Sequence, residues 1–282
     1  MKIAILADIH GNLPALQTVV DDMDAWAPDL VVMGGDMVNR GPQPRACVDL
    51  VLDRVAHDGW QAIKGNHEDF VLSHRDEELP GEGPAFEIRR NSYWSYLQLN
   101  GQLDALAALP DEWQSGEPAG AALRVVHASM IDNRTGIYHK NSDDDLRRKI
   151  APAPAVFAAG HTHRPLVRWV DETLVVNVGA VGSPFDDDWR ASYARLTHAD
   201  DGWSAEIVRL PYDRAATDRL FFETGFIEEG GDLTRIMLAE LRLARSLVYG
   251  WIGEYQDAVL AGDLGFSESV DAYLAACGVP VP

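Results

Sequence analysis

The segment KIAILADIHGN, residues 2–12, holds the pattern that decides the fold. Residues 3–7 form a continuous apolar run that stops at Asp8, which is typical of a short buried strand. Asn12 stands where a helix N-cap is expected, and Pro14 follows in the first turn of the predicted helix. A strand that ends in polar residues and leads directly into a helix is the basic unit of an α/β fold.

The same unit recurs along the first part of the chain. Residues 29–33 (DLVVM) predict a second strand, residues 42–55 a helix, and residues 60–63 a third strand. Further strand character appears at residues 123–127, 155–159, 166–170, 173–178, 191–196 and 203–210. The later strands follow one another closely, as in an antiparallel run. The alternation of strands and helices therefore predicts an α/β layered fold.

Two regions break this alternation. Residues 74–90 are charged and rich in Gly and Pro, which predicts a long loop or a mobile lid, and a helix is expected after them, at residues 91–107. From Tyr212 onward the pattern is helical, with one amphipathic helix predicted over residues 232–261. We therefore divide the chain into a catalytic domain, residues 1–212, with a lid-like insertion at 73–115, and a helical extension, residues 213–282. The extension is expected to serve as a cap, as an interface for a homo-oligomer, or as packing within one chain.

The composition excludes several classes of function. The chain has 282 residues, with 24 Lys and Arg against 44 Asp and Glu, which gives a formal charge of −20. Such a charge repels nucleic-acid backbones and anionic membranes, so we expect neither as a stable partner. Cys47 and Cys277 are too few for a disulfide framework, and no signal peptide or apolar run long enough for a transmembrane segment is visible. These features predict a cytoplasmic protein.

Short loops that carry metal-ligand side chains follow the predicted strands. They are DIH at residues 8–10, GD at 35–36, GNHE at 65–68, His127, and GHTH at 160–163. Each fragment alone is common in surface loops or in satisfied cores. Together they are significant, because ligands bind at the carboxyl ends of the strands of an α/β sheet, where these loops converge.

These motifs, in this order, resemble the signature of the calcineurin-like metallophosphoesterase family. The resemblance covers residues 2–212 and includes NVGAVGSP at residues 177–184, which is similar to a family segment beneath the site. It implies a four-layered α/β/β/α sandwich of two mixed sheets, here with a C-terminal helical extension. The last seventy residues or so carry no family signature.

The resemblance also implies a centre with two divalent ions. The first ion would be bound by Asp8, His10, Asp36 and His163, and the second by Asp36, Asn66, His127 and His161, with Asp36 bridging the two. Imidazole, carboxylate and amide ligands suit borderline divalent ions, of which Mn is expected first and Fe, Zn, Co or Ni are possible. Two such ions can clamp a phosphoryl group and share a bridging hydroxide as nucleophile.

Two further residues are expected to act in catalysis by the same resemblance. His67 would donate a proton to the leaving oxygen, and Arg40, within GDMVNRG at residues 35–41, would bind a phosphate oxygen with its planar fork. Asn39 departs from the pattern of the related protein phosphatases and dinucleotide tetraphosphate hydrolases, which have an aspartate there. An amide stabilises a protonated imidazole less well, which weakens assignment to those two subfamilies.

Substrate-binding residues are predicted less sharply. Asn133, Arg134, Tyr138, His139, Lys140 and Arg164 either line the mouth of the site or belong to a polar connecting loop. Tyr93, Trp94 and Tyr96 follow the predicted lid and either stack on a nucleoside or aryl group or pack in the core. Residues 186–188 (DDD) are expected to form a solvated turn, and His57, His74 and His198 to lie in loops or at the surface.

The sequence thus predicts a dinuclear metal-dependent phosphoesterase that hydrolyses small, nucleotide-like or cyclic phosphodiesters. A phosphomonoesterase or a serine/threonine protein phosphatase is the alternative. A noncatalytic scaffold that keeps the fold is an alternative of another class, but such scaffolds lose metal-ligand histidines, and this chain lacks none of them.

Overall fold

The computed structural model describes residues 1–76, 81–115 and 122–279. Its ten strands are β1 (Lys2–Leu6), β2 (Leu30–Met33), β3 (Gln61–Ala62), β4 (Glu112–Gln114), β5 (Leu123–Val126), β6 (Val156–Ala159), β7 (Leu166–Val170), β8 (Thr173–Asn177), β9 (Ala191–Ala199) and β10 (Gly202–Leu210). They form two five-stranded sheets, in the orders β10-β9-β1-β2-β3 and β4-β5-β6-β8-β7. Each sheet contains parallel and antiparallel pairs, as the sequence predicts.

Eleven α-helices lie within the described residues. They are α1 (Leu13–Trp26), α2 (Pro44–Asp58), α3 (Asn66–Leu72), α4 (Pro84–Gln98), α5 (Leu103–Ala107), α6 (Asp143–Ile150), α7 (Arg214–Glu223), α8 (Phe226–Glu229), α9 (Leu233–Leu243), α10 (Val248–Ala261) and α11 (Phe266–Ala276). Asn12 caps α1 as expected, because its side chain accepts a hydrogen bond from the backbone N–H of Ala15.

The central strands are buried on both faces, by the other sheet on one side and by helices on the other, which gives four layers. In β1, Ile3 and Ile5 pack between the two sheets, while Ala4 and Leu6 pack against α1 and α2 on the other side. On the second sheet, Phe157 and Val175 are covered by α6 through Leu146 and Ile150. This arrangement confirms the α/β/β/α sandwich and explains why the central strands read as unbroken apolar runs.

The C-terminal helices pack on one another around a separate apolar cluster that includes Phe226, Ile236 and Trp251. The prediction of one helix over residues 232–261 is wrong. The chain leaves α9 at Ala244, whose φ of 52° is left-handed, and α10 begins only at Val248. Amphipathic periodicity continues through such a turn because both helices bury apolar faces in the same cluster.

The region predicted as a loop at residues 74–90 contains the beginning of a helix. A short 3₁₀ turn spans Ser73–Arg75, and α4 starts at Pro84, in the first-turn position where the missing N–H of proline carries no cost. Residues 77–80 of this stretch lie outside the described residues. Trp94 of α4 packs on Phe226, and its indole N–H donates to Glu229 Oε2 at 3.0 Å, so α4 joins the C-terminal helices.

No helix in the part of the chain that the structure describes combines the length and apolar character needed to cross a bilayer.

Asn12 connects α1 with three other segments besides capping it. Its amide donates to Gly182 O at 2.9 Å and to Tyr212 Oη at 3.2 Å, and its Oδ1 accepts from Thr217 Oγ1 at 2.9 Å. We expect Asn12→Ala to lower the free energy of unfolding by about 3 kcal/mol, because buried partners lose their bonds along with the cap.

Ser142→Ala is the matched control for this prediction. Ser142 caps α6 by accepting from the N–H of Asp145 alone and is exposed, so a loss of about 1 kcal/mol is expected. Urea unfolding of both variants measures the difference. Equal losses would show that the contacts of Asn12 beyond the cap contribute nothing.

Candidate metal centre

The five loops that carry the predicted ligands meet at one edge of the sandwich. They follow β1, β2 and β3 of the first sheet and β5 and β6 of the second. The loops after β1 and β2 are joined by backbone hydrogen bonds, from Asp8 N to Gly35 O and from His10 N to Asp36 O, both at 3.0 Å. All seven residues predicted to bind metal are brought together here.

The first predicted ligand group is compact. His163 Nε2 lies 3.3 Å from Asp8 Oδ1 and 3.2 Å from His10 Nε2. His10 Nε2 is also 3.6 Å from Asp36 Oδ2, so this group lies close to the second predicted ligand group. Side chains of Asp8, His10 and His163 therefore face a common point and could hold one ion.

The second predicted ligand group lies around the other side of Asp36. His127 Nε2 is 3.2 Å from Asp36 Oδ2 and 2.9 Å from Asn66 Oδ1, and His161 Nδ1 is 2.9 Å from the same amide oxygen. Asp36 Oδ2 is thus close to both groups, the position that a bridging ligand requires.

The hydrogen bonding of the two carboxylates indicates whether cations fit this site. Asp8 Oδ2 accepts from the N–H of His161 at 2.9 Å, and Asp36 Oδ1 from the N–H of His67 at 2.8 Å. The other oxygens, Asp8 Oδ1 and Asp36 Oδ2, are buried with no hydrogen-bond partner among the described residues. A buried anionic oxygen without a donor is costly unless a cation neutralises it, so the donor set fits two borderline divalent ions.

Three of the histidines are oriented by backbone carbonyls. His10 Nδ1 donates to Val38 O at 3.2 Å, His127 Nδ1 to Gly34 O at 3.0 Å, and His163 Nδ1 to Ser183 O. A carbonyl can only accept, so each of these rings carries a proton on Nδ1 and directs Nε2 towards the cluster. This is the outer hydrogen bonding that metal-binding histidines commonly have.

The pKa values agree with a cation site. Burial lowers the pKa of His10 well below its usual value and that of His161 to about 4, so both rings are neutral at pH 7. Burial also opposes charge on His127, but the neighbouring Asp36 carboxylate raises its pKa to about 10. A metal ion at Asp36 would displace that proton, so binding should release protons.

Most of the predicted ligands have a strained backbone conformation. Five of the seven have left-handed φ angles between 48° and 65°, namely Asp8, His10, Asp36, His161 and His163. Such angles are uncommon for residues with side chains and cost free energy. Their concentration at the cluster indicates that the surrounding structure holds these loops in a functional arrangement.

Glu68 is a residue that the sequence analysis did not single out. It is fully buried, and its carboxylate accepts from the backbone N–H groups of Asp36, Met37 and Gly65 at 2.7 Å each. Burial and the nearby Asp36 charge raise its pKa to about 7 against the effect of these donors. Its place three residues after Gly65 is the capping-box position, a signal from which the role could have been recognised.

His67 lies at the edge of the ligand cluster, with Nε2 4.0 Å from Asp36 Oδ2. Asn39 Oδ1 accepts from the N–H of Arg40 at 2.8 Å, which turns its amide nitrogen towards His67 Nδ1 at 2.9 Å. Nδ1 therefore accepts, and the ring proton lies on Nε2. Burial lowers the pKa of His67 to about 3, with Asp36 opposing and Arg40 reinforcing the shift, so the ring is a neutral donor.

Arg40 is buried beside the cluster, and its guanidinium group already contacts other side chains. Its Nη2 donates to Glu240 Oε2 in an ion pair, and its guanidinium lies over the ring of Phe185, 5.5 Å from the centroid. Glu240 belongs to α9, and its other oxygen accepts from the N–H groups of Leu247 and Val248 at 2.7 and 2.9 Å. The C-terminal extension therefore reaches the residue that was predicted to bind phosphate.

A cavity of about 320 Å³ adjoins the cluster. Of the six residues predicted at the mouth of the site, three line this cavity and three do not. Arg134, Tyr138 and Arg164 line it. The other three do not line it: Asn133 donates to Asp69 Oδ2 at 2.6 Å, His139 Nε2 donates to Pro165 O at 2.7 Å, and Lys140 lies over Tyr138. Ser246 and Tyr249, which line the cavity from the α9–α10 turn and α10, were not predicted.

Tyr93, Trp94 and Tyr96 of α4 do not line this cavity. Trp94 is buried in a helix interface, and Tyr93 and Tyr96 stack on each other with ring centroids 6.0 Å apart. These contacts favour the reading of the three aromatics as packing residues.

Two smaller predictions are wrong. His74 is buried rather than at the surface, and its Nε2 bonds Ser92 Oγ at 2.8 Å. The acidic turn at 186–188 is ion-paired rather than merely solvated, since its carboxylates contact Arg209, Arg245 and Arg190 respectively. Ser92, Arg209 and Arg245 come from other segments that the local pattern does not reveal, whereas Arg190 is only two residues from Asp188.

Gly160 allows the loop after β6 to approach Asp8. A Cβ at this position would lie 2.4 Å from Asp8 Oδ2 and 2.7 Å from Ala7 Cβ. We expect Gly160→Ala to lower the free energy of unfolding by about 1–3 kcal/mol and to reduce bound metal, because Asp8 must move.

Gly253→Ala provides the control, because a Cβ on this exposed residue of α10 meets nothing within 4 Å. That change should leave metal binding intact and stabilise the helix slightly. Chemical denaturation and metal analysis of the purified variants measure both effects. Full metal content in Gly160→Ala would contradict the close approach.

Comparison with known proteins agrees with this fold. The model of the calcineurin-like phosphoesterase superfamily domain matches residues 1–201. An uncharacterized protein of Methanocaldococcus jannaschii is 26% identical over 230 residues, 75% of this chain and 88% of that protein. A symmetrical bis(5'-nucleosyl)-tetraphosphatase of Paracidovorax citrulli is 32% identical over 210 residues, 70% of this chain and 65% of that enzyme.

Solved structures share the architecture. The crystal structure of a metallophosphoesterase from Sphaerobacter thermophilus aligns with a TM-score of 0.68 and 28% identity, over 86% of this chain and 99% of that one. A hypothetical protein from Pyrococcus horikoshii aligns with the same TM-score at 16% identity, over 84% and 97%, which supports the fold alone. The family match includes all seven residues of the cluster, and the chain belongs to the calcineurin-like phosphoesterase superfamily.

Proposed function

We propose that this chain is a dinuclear metal-dependent phosphodiesterase acting on small molecules. The observation that carries the proposal is the pair of buried carboxylate oxygens, Asp8 Oδ1 and Asp36 Oδ2, that face histidine nitrogens and have no donor among the described residues. One ion would be held by Asp8, His10, Asp36 and His163, and the other by Asp36, Asn66, His127 and His161. Mn is the ion we expect.

Two divalent ions, when bound, supply Lewis-acid activation of the phosphoryl group and a nucleophile at neutral pH. The chain's own residues set what else happens at the phosphorus. His67 carries its proton on Nε2, at the edge of the ligand cluster, and can donate a hydrogen bond to the departing ester oxygen. Asn39 keeps the imidazole in that tautomer, since its amide nitrogen donates to Nδ1.

The charge balance favours a diester over a monoester. A phosphodiester has one negative charge, whereas a phosphomonoester at neutral pH has nearly two. Arg40 would be the additional cation for a dianion, but Glu240 neutralises it inside the protein. Arg40 is then best assigned to positioning, through its stack on Phe185, which in turn stacks on His163 with centroids 4.2 Å apart.

The same contacts favour a cap among the roles left open for residues 213–282. Glu240 pairs with Arg40, while Ser246 and Tyr249 line the cavity beside the metal centre. We propose that the extension forms one wall of the substrate site and is required for activity. The lid-like insertion at 73–115 would then act indirectly, through the packing of α4 on α8 and α9.

Hydrolysis of bis-p-nitrophenyl phosphate and p-nitrophenyl phosphate, after chelation and readdition of Mn, tests the proposal. Turnover should disappear with chelation, return with Mn and favour the diester. Mn at 100 times its Kd should also stabilise the fold by about 2.7 kcal/mol. A preference for the monoester would assign the chain as a phosphatase, and no turnover with any divalent metal would favour a noncatalytic scaffold.

Asp36→Asn should abolish the Mn-restored turnover and most of the Mn-dependent stabilisation, because the bridging carboxylate is lost. Asp171→Asn is the control, since Asp171 lies in the turn between β7 and β8, its side chain is 61% exposed, and its only described ion-pair partner is Arg147. Calorimetric melting with and without Mn follows both variants. Normal turnover in Asp36→Asn would refute the two-ion centre.

Glu240→Gln tests the argument from charge. Glutamine can still accept from the N–H groups of Leu247 and Val248, but it leaves the charge of Arg40 unbalanced. We expect the ratio of monoester to diester kcat/KM to rise by about tenfold to a thousandfold, because one unit charge about 4–12 Å away in a medium of effective dielectric near 20 contributes about 1–4 kcal/mol. The fold should lose about 3 kcal/mol, since a buried ion pair is broken.

The control is Asp271→Asn, which removes the ion pair between α11 and Arg235, where Asp271 is 47% exposed. It should change neither the substrate ratio nor, by more than about 1 kcal/mol, the stability. A ratio in Glu240→Gln that equals that of the parent chain would contradict the role assigned to the pair.

A further inference from the structure

The cavity beside the metal centre has the properties of a binding site. Its volume of about 320 Å³ is in the range of small-molecule pockets, roughly 300–1,000 Å³. Asn66 and His161, two of the predicted metal ligands, are among the residues that line it. A group bound in this cavity would therefore be next to a phosphoryl group at the centre.

The charge of the cavity is opposite to that of the whole chain. The sequence has 44 acidic and 24 basic residues, yet the described lining contains Arg134 and Arg164 and no carboxylate. With no carboxylate among the described lining residues, the two arginines make the wall of the cavity positive on an acidic protein. Such a potential attracts anions.

The two guanidinium groups are available to a ligand. Arg164 Nε donates to Phe185 O at 2.8 Å, which anchors the group, while neither of its Nη atoms has a hydrogen-bond partner in residues 1–76, 81–115 and 122–279. Within the same ranges the side chain of Arg134 has no hydrogen bond or ion pair, and only its backbone N–H is engaged, with Asp132. Both side chains are exposed. The planar fork of arginine matches phosphate oxygens.

The arginines differ from Arg40 in this respect. Arg40 is buried and its charge is balanced by Glu240, whereas Arg134 and Arg164 face the cavity with their charges unbalanced. The loops after β5 and β6 supply them, and the α9–α10 region contributes Ser246 and Tyr249 to the same lining. The cavity thus combines two cations with hydroxyl and ring surfaces from the extension.

We propose that Arg134 and Arg164 bind a second phosphate group of the substrate, so that the enzyme acts on small phosphodiesters that carry a further phosphate besides the scissile one. This inference rests on the proposed function, because it takes the metal centre as the place of the scissile group. The small volume of the cavity and the acidic surface of the chain oppose polymeric nucleic acid as the source of that phosphate.

A matched pair of chromogenic esters tests the inference. The p-nitrophenyl ester of thymidine 5'-phosphate has a single charge, and the same compound with a 3'-phosphate differs only by the second anion. With the full chain loaded with Mn, we expect kcat/KM to be about tenfold to hundredfold higher for the bisphosphate, the range of one or two charge-assisted hydrogen bonds.

Arg134→Ala and Arg164→Ala should each reduce this preference, and the double variant should bring the ratio of the two kcat/KM values close to one. Arg148→Ala is the control, since Arg148 on α6 is 75% exposed and pairs with Asp145. It should keep the parent ratio. Metal content of every variant is measured, because Arg164 follows the predicted ligand His163.

Calorimetric binding of thymidine 5'-phosphate and thymidine 3',5'-bisphosphate provides a readout that does not depend on turnover. The bisphosphate should bind more tightly by a similar factor, and the double variant should lose that advantage. Hydrolysis of both esters at equal kcat/KM would overturn the inference and leave the proposed function standing. If neither ester is hydrolysed, the proposed function fails, and equal Kd values for the two nucleotides would overturn the inference as well.

An equal fall in kcat/KM for both esters in the arginine variants would also overturn it. That result would place Arg134 and Arg164 at the scissile phosphate rather than at a second one.

Discussion

The structure depends on holding two buried carboxylates, Asp8 and Asp36, among five histidine rings at the junction of two sheets. Each carboxylate has one oxygen satisfied by a backbone N–H and one without a donor among the described residues. Burying such oxygens is unfavourable unless cations are present, so the cluster makes sense as a cation site. The strained loops and the close approach of Gly160 are consequences of bringing these groups together.

Groups outside the ligand set hold the loops and the histidine rings of the cluster in place. The carboxylate of Glu68 accepts hydrogen bonds from backbone N–H groups of the loop after β2. Backbone carbonyls of Gly34, Val38 and Ser183 orient three of the histidine rings. These three carbonyls belong to buried loop residues beside the sheets, and close packing around them leaves the rings little freedom. The ligand geometry is therefore a property of the whole sandwich and not of the motifs alone.

The C-terminal helices alter the charge around Arg40, the residue that the motifs suggest for phosphate binding. A glutamate 200 positions further along the chain neutralises Arg40, and the same carboxylate caps α10 beside the cavity. One side chain thus links the fold of the extension, the charge beside the candidate metal centre and the wall of the proposed substrate site. This coupling supports the proposal that residues 213–282 form part of the active site.

The sequence by itself determined the α/β alternation and the convergence of the ligand motifs, because apolar runs, glycines and ligand motifs are local and the rule that ligands lie at strand ends joins them. The two mixed sheets and the grouping of the ligands were expected from the resemblance of these motifs to a family signature. Local patterns could not reveal the pairing of Arg40 with Glu240, the burial of His74, the break at Ala244 or which of the six polar residues predicted at the mouth of the site line the cavity. Those features were decided by the tertiary structure, since each depends on which distant segments pack together and no periodicity or motif encodes that contact. The role of Glu68 lies between the two, as its capping position is visible in the sequence but its four bonded N–H groups come from two separate loops.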